Sequence, residues 1–434
     1  MRRRALGGPA TEKPVWRRHY YGWVVVGALA GTETVSWGVL YYAFSVFLDP
    51  MRAELRWSTA AMTGAYSLAL LVAGVAAVPV GRWLDRHGPR ALMTTGSILA
   101  TLRIVAWSRV DRLALLYLIW AGLGLAMAAT LYEPAFTTVA VWFERRRNQA
   151  LLLLTFVAGF ASTIFLPVAN GLVGRLGWRG ALVALAAILA VTTILPHALL
   201  LRRRPEDLGL RPDGNAVPLA EQAHASIAGV SLRRALRDPA FWWLTLAFSL
   251  GTFSSVAVGV HLIPFLTGRG FSPGFAAAVT GLIGASQVAA RVIVTVLHHR
   301  WRQSTVTSVV FALQAIALML LLWWQTATGV IVAVVLLGLG RGAVTLARAS
   351  LIGDRYGRAH YGAIGGTLAL FVTLARAAAP VGAGLAYGWW SGYSMVFWTL
   401  AGLSGLASLA ILGVGRHDSR SIELIAAAPI FTPR

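Results

Sequence analysis

Long apolar stretches alternate with short polar intervals along the whole chain. They fall near 21–48, 59–80, 91–108, 113–142, 150–174 and 181–201, and after a polar interval near 240–266, 273–298, 305–324, 328–352, 362–388 and 394–415. About 20 apolar residues in a helix cross the hydrocarbon core of a bilayer, and the longer stretches imply helices that tilt or protrude. The pattern predicts an all-α integral membrane protein of twelve transmembrane helices in two six-helix, pseudo-symmetric bundles. The expected divisions are an N-terminal tail (1–20), a first bundle (21–201), a central loop (202–239), a second bundle (240–415) and a C-terminal tail (416–434).

The polar intervals carry the orientation. Of the 38 Lys and Arg residues, 26 fall on one side: the N-terminal tail, Arg82/Arg86/Arg90, Arg145–Arg147, the central loop, Arg300/Arg302, Arg355/Arg358 and the C-terminal tail. Seven fall on the other side (Arg52, Arg56, Arg109, Arg112, Arg175, Arg179 and Arg269), and five lie within spans. Basic loops stay in the cytoplasm, so both termini are expected there. The apolar run after Tyr20 is too long for a signal-peptide core and no small-residue cleavage site follows it. The chain also repeats itself: Gly122-Leu-Gly124 recurs as Gly338-Leu-Gly340, Phe143 with its arginines as Tyr356-Gly-Arg358, and Gly177-Trp178 as Gly392-Tyr393. The offset is about half the chain, as in transporters built from two parallel repeats with substrate held between them.

Composition agrees with this picture. Residues are 57% hydrophobic and 12% charged, with mean hydropathy +0.67, whereas a soluble domain is about a quarter charged. The net charge of +22 invites a nucleic-acid reading, but the arginines sit in short runs between apolar stretches, where membrane orientation requires them. No cysteine is present, which removes disulfides and thiolate metal sites.

Span two ends in Gly81-Arg-Trp-Leu-Asp85-Arg86-His-Gly88-Pro89-Arg90. Gly81 and Gly88 permit close helix contact and a tight turn, Asp85 suits a neighbouring helix N-terminus, and Arg86 and Arg90 are expected to pair with acidic groups or helix C-termini. Such a cluster would latch the cytoplasmic face. The segment resembles the signature loop of the major facilitator superfamily. The second half has only His298-His-Arg300-Trp-Arg302 at the matching place, so the latch is expected to be one-sided. Within that superfamily the chain is most similar to the monocarboxylate transporters and oxalate/formate exchangers. Gln287-Val-Ala-Ala-Arg291 resembles the Asp-x-x-x-Arg of the former, whose arginine binds substrate carboxylate, and Ala375-Arg376-Ala377 resembles the Ala-Lys-Gly of the latter, whose lysine neutralises substrate charge. Two departures stand out. Gln287 replaces an aspartate implicated in proton coupling, and Tyr42 stands near the place of a first-span lysine.

Seven ionisable residues lie inside spans: Glu33, Arg103, Glu133, Arg291, Arg341, Arg348 and Arg376. Each is costly at mid-bilayer and marks a cavity or a partner. Five cations against two carboxylates leave a surplus of three positive charges, which an anionic ligand would satisfy. Arg291 and Arg376 are the expected carboxylate ligands, since a planar guanidinium binds a carboxylate in two places; Tyr41, Tyr42, Gln287 and His261 are further candidates for the substrate site. Glu133 is expected to pair with Arg348 or Arg341, or to carry a proton. Glu33, in Gly31-Thr-Glu33-Thr, is the stronger proton-carrier candidate. His261 also reads as an ordinary packing histidine, and Arg103 as a residue that snorkels toward the outer surface. Pro134, beside Glu133, predicts a kink that frees a carbonyl.

No zinc-protease, nucleophile-elbow or phosphate-binding glycine motif occurs. The sequence therefore reads as a non-enzymatic secondary transporter, without cofactor or metal, that carries a mono- or dicarboxylate by alternating access, coupled to a proton or a counter-anion. A drug exporter on the same fold is the alternative, and the arginine surplus argues against it. A receptor would need a larger extramembrane domain than a loop of 38 residues. The expected setting is a bacterial inner membrane, as a multi-pass monomer without a nucleic-acid partner.

Overall fold

The computed structural model describes residues 20–214, 229–297, 301–390 and 392–426. Ten helices are long and apolar enough to cross a membrane, and one of them runs 54 residues, from Arg147 to Leu200. At 1.5 Å per residue that helix would be ~80 Å long, more than twice a bilayer core. It is two spans, because Gly177 adopts φ +67 inside it, a conformation open to a residue without Cβ. The 19-residue helix Pro89–Trp107 completes the twelve. In chain order the spanning helices are α1 (Tyr21–Leu55), α2 (Thr59–His87), α3 (Pro89–Trp107), α4 (Leu113–Trp142), α5 (147–176) and α6 (178–200). The second half holds α7 (Pro239–Thr267), α8 (Pro273–Leu297), α9 (Gln303–Trp323), α10 (Ala327–Tyr356), α11 (Tyr361–Trp390) and α12 (Tyr393–Val414). An isolated β-bridge joins Gly229 and Gly357.

Several spans are interrupted. α4 breaks at Leu131, whose backbone is extended between helices Leu113–Thr130 and Tyr132–Trp142. α10 breaks at Ala343, between Ala327–Gly342 and Val344–Tyr356. These breaks lie 212 residues apart, at matching places in the two halves. α1 carries a π-helical turn over Trp37–Tyr42. Lipid cannot satisfy freed backbone groups, so such interruptions belong where a helix faces protein or a water-lined interior.

Apolar packing divides the molecule into three main regions. One core draws on both halves at a single end of the bundle: Val25, Phe136, Trp142 and Leu154 from the first meet Phe241, Leu346, Tyr361 and Leu368 from the second. This end carries the segments at 88, 143–146, 201–214, 229–239 and 357–360, where the arginines concentrate, and is here termed the basic end. Toward the opposite end the core splits. Phe47, Trp107, Trp120 and Leu185 close the first half, and Leu262, Phe265, Leu321 and Phe397 close the second. Among the described residues neither of these two clusters crosses between halves.

Glycine sets the closest approach of the halves. Gly81 on α2 lies against the carbonyl of Gly362 on α11, and Gly366 lies against Ala77, so a side chain at either would meet backbone. Large apolar residues such as Leu102, Leu118, Val191, Val381 and Leu409 stay exposed around the outside, as a lipid-facing belt requires.

Candidate functional site

At the basic end, Asp85 closes the first contact across the halves. Its two carboxylate oxygens accept the backbone N–H groups of Gly362 (2.8 Å) and Ala363 (2.9 Å), the unsatisfied donors at the start of α11. A carboxylate there completes two orphan hydrogen bonds and meets the positive end of the helix dipole. Gly88, at φ +78, turns the chain directly into Pro89 at the head of α3, and a side chain there would also strike Arg203.

The arginines of this loop do something other than expected. Arg86 and Arg90 are exposed, and neither forms an ion pair among the described residues. An exposed charge gains little by pairing. The ion pairs that join the halves come from elsewhere. Arg147, buried at the head of α5, donates to Asp354 of α10 at 3.0 Å and to the carbonyl of Phe143 at 3.2 Å. Arg358 reaches Glu206 of the central loop at 2.8 Å and Glu144 at 3.5 Å. Asp213 receives the N–H groups of Glu144, Arg145 and Arg146, tying the loop to the first half. In the second half, Asp238 caps α7 through the N–H of Ala240 and accepts Arg355 (2.8 Å) and the Tyr356 hydroxyl (3.0 Å). Burial pushes the Asp238 pKa up, but the Arg355 and Ala240 hydrogen bonds, the Arg355 charge and the Tyr356 hydroxyl outweigh it and hold the group below the usual carboxylate range.

Contacts at the basic end therefore draw on both halves; residues 298–300, on which the expectation of a one-sided latch rests, lie outside the described residues. Sequence reading missed Arg147 and Asp354 because a third arginine in a basic run and an aspartate beside an arginine look like solvated loop charges. The half-chain repeat, which aligns Phe143 with Tyr356, was the available signal.

Deeper in, Arg348 donates to Glu133 and joins α10 to α4. Glu133 stands in the first turn after the Leu131 break, next to Pro134, at another helix N-terminus. Arg341, the other expected partner of Glu133, does not reach it. It lies two turns earlier, beyond the break at Ala343, and has no hydrogen-bond or ion-pair partner among the described residues. Its flanking glycines explain its direction: Gly340 packs on Gln314 of α9 and Gly342 on the backbone of Gln287 of α8. The side chain between them passes Gly259 of α7. It lies within electrostatic range of Tyr41, Tyr42 and Arg376.

Arg376, half-buried on α11, likewise has no hydrogen-bond or ion-pair partner among the described residues and lies close to Tyr42 and Tyr66. Arg291 crosses from α8 to the first half: its guanidinium donates to the carbonyl of Thr155 on α5, and its Nε to Gly342 at 3.4 Å. Gly159, in the Gly159-Phe160 step of α5, leaves it room. The first half answers these cations with aromatic rings. Trp37 meets Tyr41 at 5.0 Å and Tyr132 at 4.9 Å between centroids, and Tyr41 meets Tyr66 at 5.7 Å. Tyr42, 36% exposed, lies against Tyr41 at the end of the π-helical turn.

Glu33 is one turn from Trp37, fully buried, with both carboxylate oxygens lacking a hydrogen-bond partner among the described residues. His261 is held inside the second half, its ring nitrogens against the Tyr393 hydroxyl (3.4 Å) and the Pro380 carbonyl (3.2 Å). Arg103 packs along Gly122 of α4. An apolar groove between α8, α9 and α10, lined by Ile293, Trp301, Val309 and Leu313, has almost no polar lining and belongs to the lipid-facing surface.

The profile of the Major Facilitator Superfamily matches residues 34–380. Monocarboxylate transporter 13 of Bos taurus is 29% identical over 317 residues, 72% of this chain and 67% of its own length. Monocarboxylate transporter 11 of Homo sapiens is 30% identical over 63% of this chain and 55% of its own. A 38 kDa protein of Thermoproteus tenax, from a 23S RNA operon, is 27% identical over 91% and 96%. Among solved structures, a bacterial homologue of the iron transporter ferroportin in its outward-facing state superposes with TM-score 0.72 at 14% identity, covering 90% of this chain and 99% of that one. The human organic anion transporter MFSD10 superposes with TM-score 0.66 at 15% identity, over 92% and 100%.

Proposed function

The chain belongs to the major facilitator superfamily, and from that premise we propose that it is a secondary transporter of small organic anions, mono- or dicarboxylates, working by alternating access. One observation carries the choice of anion: Arg341 and Arg376 lie near each other in the interior, neither with an acidic partner among the described residues. Desolvated cations are expensive unless a counter-charge meets them, and a carboxylate bound between the halves would supply it. Tyr41, Tyr42 and Tyr66 offer hydroxyl donors around that place, and Arg291, already crossing to Thr155, would couple occupancy to the contact between halves. Low identity to monocarboxylate transporters over much of the chain points the same way.

With the basic end read as cytoplasmic, the closed end is the cytoplasmic one and the state is outward-facing. Glu33 is the proposed proton carrier. A carboxyl group with no partner in a desolvated site is held far more cheaply as the neutral acid, whereas Glu133 is already paired with Arg348. Rocking of the halves would expose Glu33 to a cation or to water and let the proton leave.

The test is uptake of radiolabelled carboxylates into proteoliposomes. Arg376→Ala is expected to reduce uptake by more than about tenfold, the range of a lost charge-assisted contact, with the protein still folded by size-exclusion profile. Undiminished uptake would remove the anion assignment. Thermal stabilisation by lipophilic cations and none by carboxylates would favour the drug-exporter alternative.

A further inference from the structure

We propose that Arg341 is a specificity-determining residue: together with Arg376 it forms a two-cation site that selects doubly charged anions over singly charged ones. The proposal rests on the anion reading above and narrows it.

The reasoning begins with helix geometry. Gly340 and Gly342 each seat against a neighbouring helix, α9 and α8, which fixes that stretch of α10 on two sides. Arg341, between them, is turned past Gly259 and away from Glu133, whose partner is Arg348. The break at Ala343 separates the two arginines of α10 into a paired one on the far side and an unpaired one on the near side. Arg376 approaches from α11, beside Tyr66 and Tyr42. The charges available to oppose the pair are few: Glu133 is paired with Arg348, and Glu33 is fully buried with no cation on its oxygens among the described residues.

A monocarboxylate bound to Arg376 would leave Arg341 desolvated beside a neutralised neighbour. A dianion bridging both would satisfy each guanidinium and remove their mutual repulsion, which a reduced dielectric makes stronger than it is in water. Selectivity then follows from the penalty on the wrong ligand as much as from attraction to the right one.

The experiment compares binding and uptake of malonate and succinate with acetate and lactate by the full chain in proteoliposomes at neutral pH. The parent is expected to prefer the dianions. In Arg341→Gln that preference, taken as the ratio of the two affinities, should fall by about tenfold or more, a change of about 1.4 kcal/mol. Arg341→Lys, which keeps the charge and loses the fork, should retain most of it, and Arg376→Gln should weaken both classes. An Arg341→Gln protein that keeps the parent's ratio, or loses both classes in proportion, overturns the proposal. A parent that takes up neither class overturns the anion reading itself, and a parent that takes up monoanions preferentially overturns the two-cation site alone. Melting temperatures of each variant in detergent separate a misfolded protein from an altered site, and Arg341→Met, which keeps the length of the side chain without its charge and should lose the preference as Arg341→Gln does, carries the test if the glutamine variant does not fold.

Discussion

Glu33 and Glu133 show how differently two carboxylates inside spans can be used. Both were candidates for proton coupling on the same ground, an acidic side chain inside an apolar run. The fold separates them, since Glu133 meets Arg348 across the halves while Glu33 is enclosed with neither oxygen engaged. A paired carboxylate keeps its charge and acts as a strut; an enclosed one without a partner favours a proton. Glu33→Gln, which mimics the neutral acid, is therefore expected to keep carboxylate counterflow within about threefold of the parent while losing accumulation driven by a pH gradient, since the proton-dependent conformational bias is a coupling free energy and not a binding contact. Fluorescence of a trapped pH dye reports the proton directly. A Gln variant that still acidifies the vesicle lumen during uptake would move the role elsewhere. His261, read either as a substrate ligand or as a packing histidine, has its ring nitrogens beside the Tyr393 hydroxyl and the Pro380 carbonyl.

At the scale of elements, the contact between α2 and α11 is made by absent side chains. Gly81, Gly362 and Gly366 let the two helices touch backbone to backbone, and Asp85 then falls on the N–H groups at the start of α11. Small residues serve this purpose inside membranes, where lipid is as apolar as any side chain and close packing drives association. Gly81→Val should force the pair apart. Because the chain has no cysteine, a single Ala363→Cys reports it: buried at the contact, it should resist maleimide in the parent background and label readily beside Gly81→Val. Equal protection in both backgrounds would mean the helices absorb the extra volume. The motif loop was legible because glycine, aspartate and the following Gly-Pro have narrow structural uses. Its arginines were not, because a long charged side chain beside a loop has many equivalent resting places.

For the whole molecule, one core shared between halves at the basic end and two separate cores at the other describe a state closed on one side. The closed end is held by Asp85, Arg147–Asp354 and Arg358 with Glu144 and Glu206, all of which must part if the halves rock. Asp354→Ala strands the buried Arg147 and should shift the population toward the state open at the basic end. Maleimide labelling at Ala363→Cys should rise while labelling at Gly384→Cys, which lies toward the opposite end, should fall; a rise at both would indicate unfolding. The sequence by itself determined the membrane class, the twelve spans, their two halves and the motif that joins them, because bilayer thickness and the cost of an unsatisfied backbone leave an apolar 20-residue run few alternatives. Only the tertiary structure decided which charge meets which. Arg341 and Arg348 stand seven residues apart on one span, and the helix break between them, together with the glycines that seat α10 against α8 and α9, sends one to Glu133 and leaves the other beside Arg376. Pairing of charges across the halves depends on distances between segments some 200 residues apart in the chain, and no local pattern encodes those.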